Sequence, residues 1–317
     1  MKIATATFIG VSGVPDTTID LGDARSGVPH GLVVVSGPGG SGKTRTIEAL
    51  IAAKEAIRPY GPMATGAPWI RSGSAAKIRV TFHLDEAERE FAGTNEALHE
   101  AEVVLYPDRV VAEASDGLRA VLGRYAHNPA CGKVDYFPAD RRLPVFPPFA
   151  GLGSGEQRLA RLGKDQRKYG FVMTLLRDIE HDRARRDRFA TTLAALSATC
   201  SYVTDASGAA VPRCFSSRGG DTVTVAQLSH AETDAVIFAA SAAALCLDHS
   251  VVFVDRPDLH HEDVESFVQG LTALGKNNQL WLTGSPRLAA AARGAHVVTL
   301  KTPAPPRGAQ VLALKTA

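Results

Sequence analysis

The chain has 317 residues, of which 45% are hydrophobic and 21% are charged. Its 35 basic residues nearly balance its 33 acidic ones, so the net charge of +2 gives no overall attraction to nucleic acid or to a membrane surface. No run approaches the roughly 18 apolar residues of a membrane span, and the first residues lack the apolar core of a signal peptide. We therefore expect a cytoplasmic protein of one large α/β domain or two small ones.

The first half of the chain predicts strands around one amphipathic helix. Residues 2–21 alternate apolar and polar side chains about a Gly/Pro break, which predicts a hairpin. Residues 30–40, HGLVVVSGPGG, predict a buried parallel strand that ends in glycines, and residues 44–57 carry apolar side chains at helical spacing. Two more strands are predicted in 75–84 and 101–114, with a charged helical piece between them.

The second half alternates helices and strands. Residues 134–156 are broken by Pro and Gly and predict a connection, whereas residues 156–197 contain no proline and predict a helical insertion. The later predicted elements are a strand region at 213–228, a helix at 231–247, a strand at 250–255, a helix at 261–274, and strands at 278–285, 295–301 and 309–314. The last two strands are expected to be antiparallel at an edge, and the alternation predicts a mostly parallel sheet covered on both faces.

The four cysteines, Cys131, Cys200, Cys214 and Cys246, form no CxxC pair and have no histidines at zinc spacing. Cys200 and Cys214 flank a predicted hairpin, so they could lie close together. Because the chain carries no sign of export, we expect reduced structural thiols.

Residues 37–44 match the phosphate-loop pattern G-x-x-x-x-G-K-[ST] at every fixed position, between a predicted strand and a predicted helix. Glycines let backbone N–H groups turn toward phosphate oxygens, the lysine reaches the β and γ phosphates, and the hydroxyl ligates magnesium. The predicted nucleotide-binding residues here are Gly37, Pro38, Gly39, Gly40, Ser41, Gly42, Lys43, Thr44 and Arg45. A glycine turn that binds nothing is the alternative.

Asp255 follows the apolar run VVFV, where P-loop proteins place the carboxylate that holds magnesium. We therefore predict a nucleotide site in which Thr44 and Asp255 hold Mg²⁺.

Five segments resemble, in order and spacing, the ABC-type ATPases of the SMC, RecF and OLD group. They are the opening hairpin with SGPGGSGKT, then VDYFPADRR, VAQLSHAETDAVIFAASAAAL, VVFVDRPDLHH and LWLTGSP. The resemblance implies an α/β P-loop NTPase fold, an ABC-type ATPase head with a mostly parallel sheet, an N-terminal antiparallel β lobe and a helical insertion. It implies one domain over 1–317, with the lobe and phosphate loop in 1–150, the insertion in 151–200, and the signature-like segment, Walker B region and last strands in 201–317.

The resemblance also implies roles outside the phosphate loop. In LSHAE, the residues Ser229, Ala231 and Glu232 correspond to the signature that contacts the nucleotide bound by a second head. Arg256 stands where the family has its catalytic Glu, Ala231 where the signature has Gly, and Gly284 where the switch His lies. These departures fall in three catalytic motifs and imply impaired hydrolysis.

Arg256 cannot act as a general base, because a guanidinium stays protonated at physiological pH. It could still hold phosphate charge, as an arginine finger does, so it joins the predicted nucleotide-binding residues. Lys43, Asp255 and Asp258 are the predicted catalytic residues, since a loop rearrangement would let Asp258 or Glu262 position water.

Two other clusters have structural explanations that we weigh against functional ones. The run His260, His261, Glu262 and Asp263 could suggest a metal site, but neighbouring helical residues point about 100° apart and the helix dipole explains the acids. The basic stretch at 181–189 could contact nucleic acid phosphates through its arginines together with Arg167. Aspartates alternate with these arginines, so a helix face that is simply exposed to solvent explains the basic residues equally well.

The predicted function is that of a Mg-ATP-binding ATPase subunit, weakly active or completed by a partner, that gates a DNA-maintenance or bacterial defence complex. The alternative is a non-hydrolysing ATP-binding interaction subunit. A small-molecule P-loop kinase is disfavoured, because no Arg-rich lid follows the phosphate loop. The resemblance implies pairing with a second copy, another ATPase head or an effector chain, and no membrane.

Overall fold

A computed structural model describes residues 1–23, 26–61, 67–71, 73–124, 133–144, 158–204, 214–216 and 220–301. The strands are β1 (Lys2–Ile9), β2 (Thr17–Asp20), β3 (Leu32–Ser36), β4 (Ala76–His83), β5 (Leu98–Leu105), β6 (Val110–Glu113), β7 (Val134–Phe137), β8 (Ser201–Tyr202), β9 (Phe215–Ser216), β10 (Thr222–Val223), β11 (Val251–Asp255), β12 (Gln279–Gly284) and β13 (His296–Thr299). The helices are α1 (Lys43–Ile57), α2 (Glu86–Ala92), α3 (Asp116–Leu122), α4 (Phe171–Asp178), α5 (Arg183–Leu196), α6 (His230–Leu245), α7 (Val264–Gly270) and α8 (Pro286–Ala291).

An antiparallel sheet of order β2-β1-β4-β5-β6 forms the N-terminal lobe. The hairpin of β1 and β2 is confirmed, with Thr7 opposite Thr18. Along β4 the residues Ile78, Val80 and Phe82 are buried while the side chains between them are more exposed. Because side chains alternate along a strand, one face of the sheet packs toward α1 and the other faces solvent.

The second large sheet is entirely parallel, with the order β13-β3-β12-β11-β7. All five residues of β11 are buried, because both faces of the sheet are covered. Val251 and Phe253 pack on the side of α1 and the N-terminal lobe, whereas Val252 and Val254 pack on the side of α4 to α8. The predicted parallel sheet with two covered faces is confirmed.

Two edge strands differ from the expectation. The prediction that the strand at 295–301 is antiparallel is wrong, because β13 pairs parallel with β3, with Val298 opposite Val35. The Pro/Gly-broken stretch at 134–156 contains β7, which pairs parallel with β11. The strand β7 has only four residues before Pro138. Four residues are too few to show a strand pattern next to the prolines and glycines that follow. The strand predicted at 309–314 lies outside the described residues.

The helical character predicted for 156–197 is confirmed in α4 and α5. Asp182 begins α5 as its N-cap and accepts a hydrogen bond from the Arg185 N–H at 3.1 Å, so the segment is broken there. Phe171 and Phe189 are buried in the same core as α6. No helix in the described part of the chain is long and apolar enough to cross a membrane.

Cys200, Cys214 and Cys246 are buried thiols, as expected, and Cys131 lies outside the described residues. Burial raises the pKa of the Cys200 thiol to about 12, and Glu232 adds to this effect. Because the thiolate is the reactive form, Cys200 is suited to packing rather than to chemistry.

Lys54 lies on the buried face of α1. Its Nζ is 2.7 Å from Oε1 of Glu55 and 2.9 Å from the centre of the Tyr60 ring. Burial lowers the pKa of Lys54 to about 7, although Glu55 opposes the shift. Between this pKa and the ordinary value near 10.4 the unfolded chain holds a proton that the folded chain lacks, so stability rises with pH across that window.

We expect the free energy of unfolding of the wild type to rise relative to Lys54→Met by up to about 1.4 kcal/mol per pH unit between pH 7 and 10. Methionine keeps the length of the side chain without a titrating group. Urea unfolding of both proteins across this range measures the difference, and Lys276→Met, at an exposed lysine, serves as the control. Parallel pH profiles for the wild type and Lys54→Met would contradict the assignment.

Candidate nucleotide-binding site

The phosphate loop connects β3 to α1 in the predicted order. Gly40 and Gly42 have φ angles of 74° and 94°, in the left-handed region that favours glycine. A Cβ at Gly42 would collide with the carbonyl oxygen of Gly13, in the connection between β1 and β2. The glycine pattern therefore permits both the turn and its close contact with the N-terminal lobe.

The loop carries several hydrogen-bond donors near the start of α1. No side chain caps this 15-residue helix, so its first amide groups lack intrahelical acceptors and its positive dipole end is open to an anion. Lys43 Nζ donates to the carbonyl oxygens of Gly37 at 2.8 Å and Pro38 at 2.7 Å. Ser41 Oγ is buried without a hydrogen-bond partner in the described part of the chain. A phosphate group at this helix end would supply acceptors for the first amide groups of α1 and for Lys43 Nζ.

The two predicted metal ligands lie together beside the loop. Thr44 Oγ1 donates to the Asp255 carboxylate, 2.9 Å from Oδ1 and 3.0 Å from Oδ2. Thr283 Oγ1 donates to the same carboxylate from β12. Hydroxyl and carboxylate oxygens are ligands that Mg²⁺ prefers, and octahedral coordination at 2.0–2.1 Å places neighbouring ligands about 3 Å apart. The donor set and its spacing therefore suit Mg²⁺.

The segment after Asp255 is held by its backbone. Arg256 adopts a left-handed conformation with φ 49°, and its N–H donates to the Thr283 carbonyl oxygen at 3.0 Å. The Arg256 side chain is exposed at the carboxyl edge of the sheet. Asp258 Oδ2 accepts from Ser285 Oγ at 3.1 Å, so this predicted catalytic carboxylate is tied to the chain that follows β12.

Gly284 has a packing reason to lack a side chain. A Cβ at this position would lie 2.9 Å from Leu288 Cβ and would also overlap Leu288 Cδ2. Leu288 is fully buried in α8, so it has little freedom to move aside. The position that the family resemblance gives to a switch histidine therefore cannot hold one in this packing.

The signature-like residues form the start of α6. Ser229 is the N-cap; its Oγ accepts from the Glu232 N–H at 3.3 Å, and Glu232 Oε2 accepts from the Ser229 N–H at 2.9 Å. This reciprocal pair is a capping box, a structural reason for the spacing of the two residues. Ala231 lies between them in the first turn. The trans contact to a nucleotide stays a prediction for all three.

Arg45 differs from its neighbours in what its side chain contacts. Its guanidinium lies 3.7 Å from the centre of the Trp69 ring, and Nε donates to the Ser12 carbonyl oxygen at 3.1 Å. The side chain therefore holds the N-terminal lobe against α1. If Arg45 contacts a nucleotide, the contacting group would be its backbone N–H.

The His/Glu/Asp run at 260–263 and the basic stretch at 181–189 both contact residues close to them in the fold. His261 Nε2 lies 3.2 Å from Asp234 and its ring stacks on Phe267, while Asp263 caps α7. Among the described residues no group of three or more His, Cys, Asp or Glu side chains could hold a metal ion. The arginines of the basic stretch and Arg167 pair with nearby acids: Arg183 with Asp187, Arg186 with Glu180 and Arg167 with Asp165. These contacts favour the structural explanations.

Three residues of the site escaped the sequence reasoning. Thr283 precedes Gly284 and lies opposite Asp255 in the sheet, a position that depends on strand register. Arg141 and Asp234 form a buried ion pair behind the Walker B strand. The only sequence signal was that Arg141 ends the family-like segment YFPADR, to which no role was assigned.

Comparisons with known proteins place this fold. No family model matches the sequence, and no curated protein matches it. Among solved structures, the SMC head domain from Thermotoga maritima is 16% identical, with 94% of this chain and 95% of that chain covered and a TM-score of 0.53. The Smc head domain of Pyrococcus furiosus, bound to the C-terminal domain of ScpA, is 12% identical, with 94% and 92% covered and a TM-score of 0.56.

The recombination mediator protein RecF, solved as RecF-ATPrS, is 9% identical, with 94% of this chain and 96% of that chain covered and a TM-score of 0.50. At these identities the likeness concerns the fold. The chain therefore has the α/β fold of an SMC- and RecF-like ATPase head, as the sequence resemblance implied.

We expect Gly284→Ala to lower the free energy of unfolding by about 1–3 kcal/mol, because the added methyl group overlaps Leu288 in a packed site. Gly39→Ala is the matched control, since nothing lies within 4 Å of a Cβ at that glycine. Urea unfolding measures both changes. Combining Gly284→Ala with Leu288→Ala should cost less than the sum of the single changes; strict additivity would show that the contact is absent.

Proposed function

We propose that this chain is a Mg-ATP-binding ABC-type ATPase subunit with slow or partner-completed hydrolysis. The observation that carries the proposal is the direct contact of Thr44 with Asp255 at the uncapped start of α1. It brings an anion-binding helix end and oxygen ligands for a cation within one site. ATP with magnesium is a ligand that carries both charges.

The roles of the site residues follow from their positions. Lys43 and the loop amides would bind the phosphates, with Ser41 Oγ as a further donor. Thr44 and Asp255 would hold Mg²⁺, which would neutralise phosphate charge and orient the terminal phosphate. The exposed guanidinium of Arg256 would contact phosphate but cannot take a proton from water. The site would thus have the groups needed to bind ATP, whereas the base needed to hydrolyse ATP is missing at Arg256.

A partner would complete what the chain lacks. Ser229 is exposed at the start of α6, where an incoming chain can reach it. We propose association with a second copy, with another ATPase head or with an effector chain, controlled by bound nucleotide. A place in a DNA-maintenance or bacterial defence complex is the broader role that fits such a subunit.

A non-hydrolysing interaction subunit is the second candidate. The observation that favours it is the packing at Gly284, which leaves no space for a switch side chain, together with the absence of a base at Arg256. In that case ATP would stay bound and act only as a ligand that stabilises one state of the protein.

For the binding claim, we expect Lys43→Ala to weaken ATP binding by about tenfold or more, because one charge-assisted phosphate contact is lost. Isothermal titration of the full chain with ATP and Mg²⁺ measures the affinity. Lys164→Ala, at an exposed lysine paired with Glu48 elsewhere on α1, is the control. Equal affinities of wild type and Lys43→Ala would remove the phosphate loop from nucleotide binding.

For the catalytic claim, we expect Arg256→Glu to raise ATP turnover by about tenfold or more, because a carboxylate can orient and deprotonate water where a guanidinium cannot. Phosphate release is measured for the wild type, Arg256→Glu and Arg256→Ala. Rapid wild-type turnover that Lys43→Ala abolishes would eliminate the non-hydrolysing candidate. A gain with Arg256→Ala equal to that with Arg256→Glu would show that the positive charge alone limits the reaction.

A further inference from the structure

Arg141 is fully buried between three parts of the candidate site. Its Nε and one terminal nitrogen donate to both carboxylate oxygens of Asp234, at 2.5 and 2.9 Å. The other terminal nitrogen donates to the carbonyl oxygens of Pro138 at 2.7 Å and Asp255 at 2.8 Å. A further contact of 3.5 Å reaches the Arg256 carbonyl oxygen. All the donor groups of the guanidinium thus face acceptors.

Asp234 fixes the other side of this arrangement. It lies in the second turn of α6, five residues after the N-cap Ser229, and its side chain is fully buried. Its second partner is His261 Nε2 at 3.2 Å, whose ring stacks on Phe267 in α7. Burial alone would raise the pKa of the Asp234 carboxyl, but Arg141 and His261 hold that pKa below its ordinary value.

Two of the carbonyl groups that Arg141 contacts, those of Asp255 and Arg256, belong to a constrained turn of the backbone. Arg256 is held with φ 49°, a left-handed conformation that residues with side chains rarely adopt. Its N–H is also held, by the carbonyl and hydroxyl oxygens of Thr283. Such backbone persists only when its surroundings over-determine it, and Arg141 supplies contacts on the side away from β12.

We propose that Arg141 is a positioning residue that fixes the Asp255–Arg256 backbone to the first turns of α6, and that Asp234, itself held by His261, binds its guanidinium. This inference rests on the proposed function, since its purpose is to aim the Asp255 carboxylate at Mg²⁺. Arg141 reaches no nucleotide itself. It joins the signature-like end of α6 to the Walker B strand, so that a partner bound near Ser229 acts on the metal side of the site.

The test compares ATP affinity in Mg²⁺ with ATP affinity in EDTA, for the full chain. The ratio of the two affinities reports how well Asp255 is placed, because the phosphate loop binds ATP in both conditions. Coupling between two ligands is typically about 5–150-fold. We expect Asp234→Asn to lower the ratio by about fivefold or more and to leave the affinity in EDTA within about twofold of the wild type.

A matched control separates positioning from general destabilisation. Arg188 and Asp248 form another Arg–Asp pair, 2.9 Å apart, and Asp248 lies just before the first residue of β11, far from Asp255 at its last residue. Asp248→Asn should therefore lower stability without changing the ratio of the two ATP affinities. The double variant Arg141→Met with Asp234→Leu removes both buried charges and should fold more stably than Asp234→Asn. It should still show the lowered ratio, because the carbonyl contacts are gone.

Two outcomes would overturn the positioning role, and a third would refute the proposed function. A ratio in Asp234→Asn equal to that of the wild type overturns the positioning role, even when ATP binds normally. An equal loss in Asp248→Asn also overturns it, since the effect would then be one of stability. Failure of the wild type to bind ATP at all refutes the proposed function and this inference with it.

Discussion

The contact between Thr44 and Asp255 is the constraint on which the candidate site depends. These residues are 211 positions apart in sequence, and they meet because β3 and β11 both flank β12 in one parallel sheet. Register places Asp255 opposite Thr283 and Gly284 opposite Ser36, so three chain segments leave the sheet at one edge. A slip of one residue would turn Asp255 toward the opposite face of the sheet, away from the loop.

Buried basic side chains join β7, at one side of this sheet, to the chain that precedes α4. Lys168 Nζ donates to the carbonyl oxygens of Tyr136 at 2.5 Å and Gly163 at 2.9 Å, and burial lowers its pKa. Arg161 pairs with Asp135 in β7. Carbonyl groups outside regular elements need donors when they are buried. Lys168 reaches one carbonyl group in β7 and one outside any regular element, so it joins the two stretches of backbone.

The predictable features were those encoded within a few neighbouring residues. The glycine spacing of the phosphate loop, the apolar run before Asp255 and the helix at α6 each carry a local pattern, and all lie where the sequence placed them. The direction of β13 and the existence of β7 were not predictable, because edge strands of four residues take their direction from pairing. Arg141 escaped notice for a related reason, since its partner Asp234 lies 93 residues away.

Under the proposed function, ATP binding and ATP hydrolysis depend on different parts of the site. Phosphate binding uses backbone amides and one lysine, all from a single loop and helix end. Hydrolysis also needs side chains on separate loops to act on one water molecule. Here two of those loops are committed otherwise: Arg256 is a permanent cation, and Leu288 occupies the space beside Gly284. In the proposed function, the chain keeps the groups that bind phosphate, and a partner that supplied a carboxylate near Arg256 would provide the base that a guanidinium cannot be.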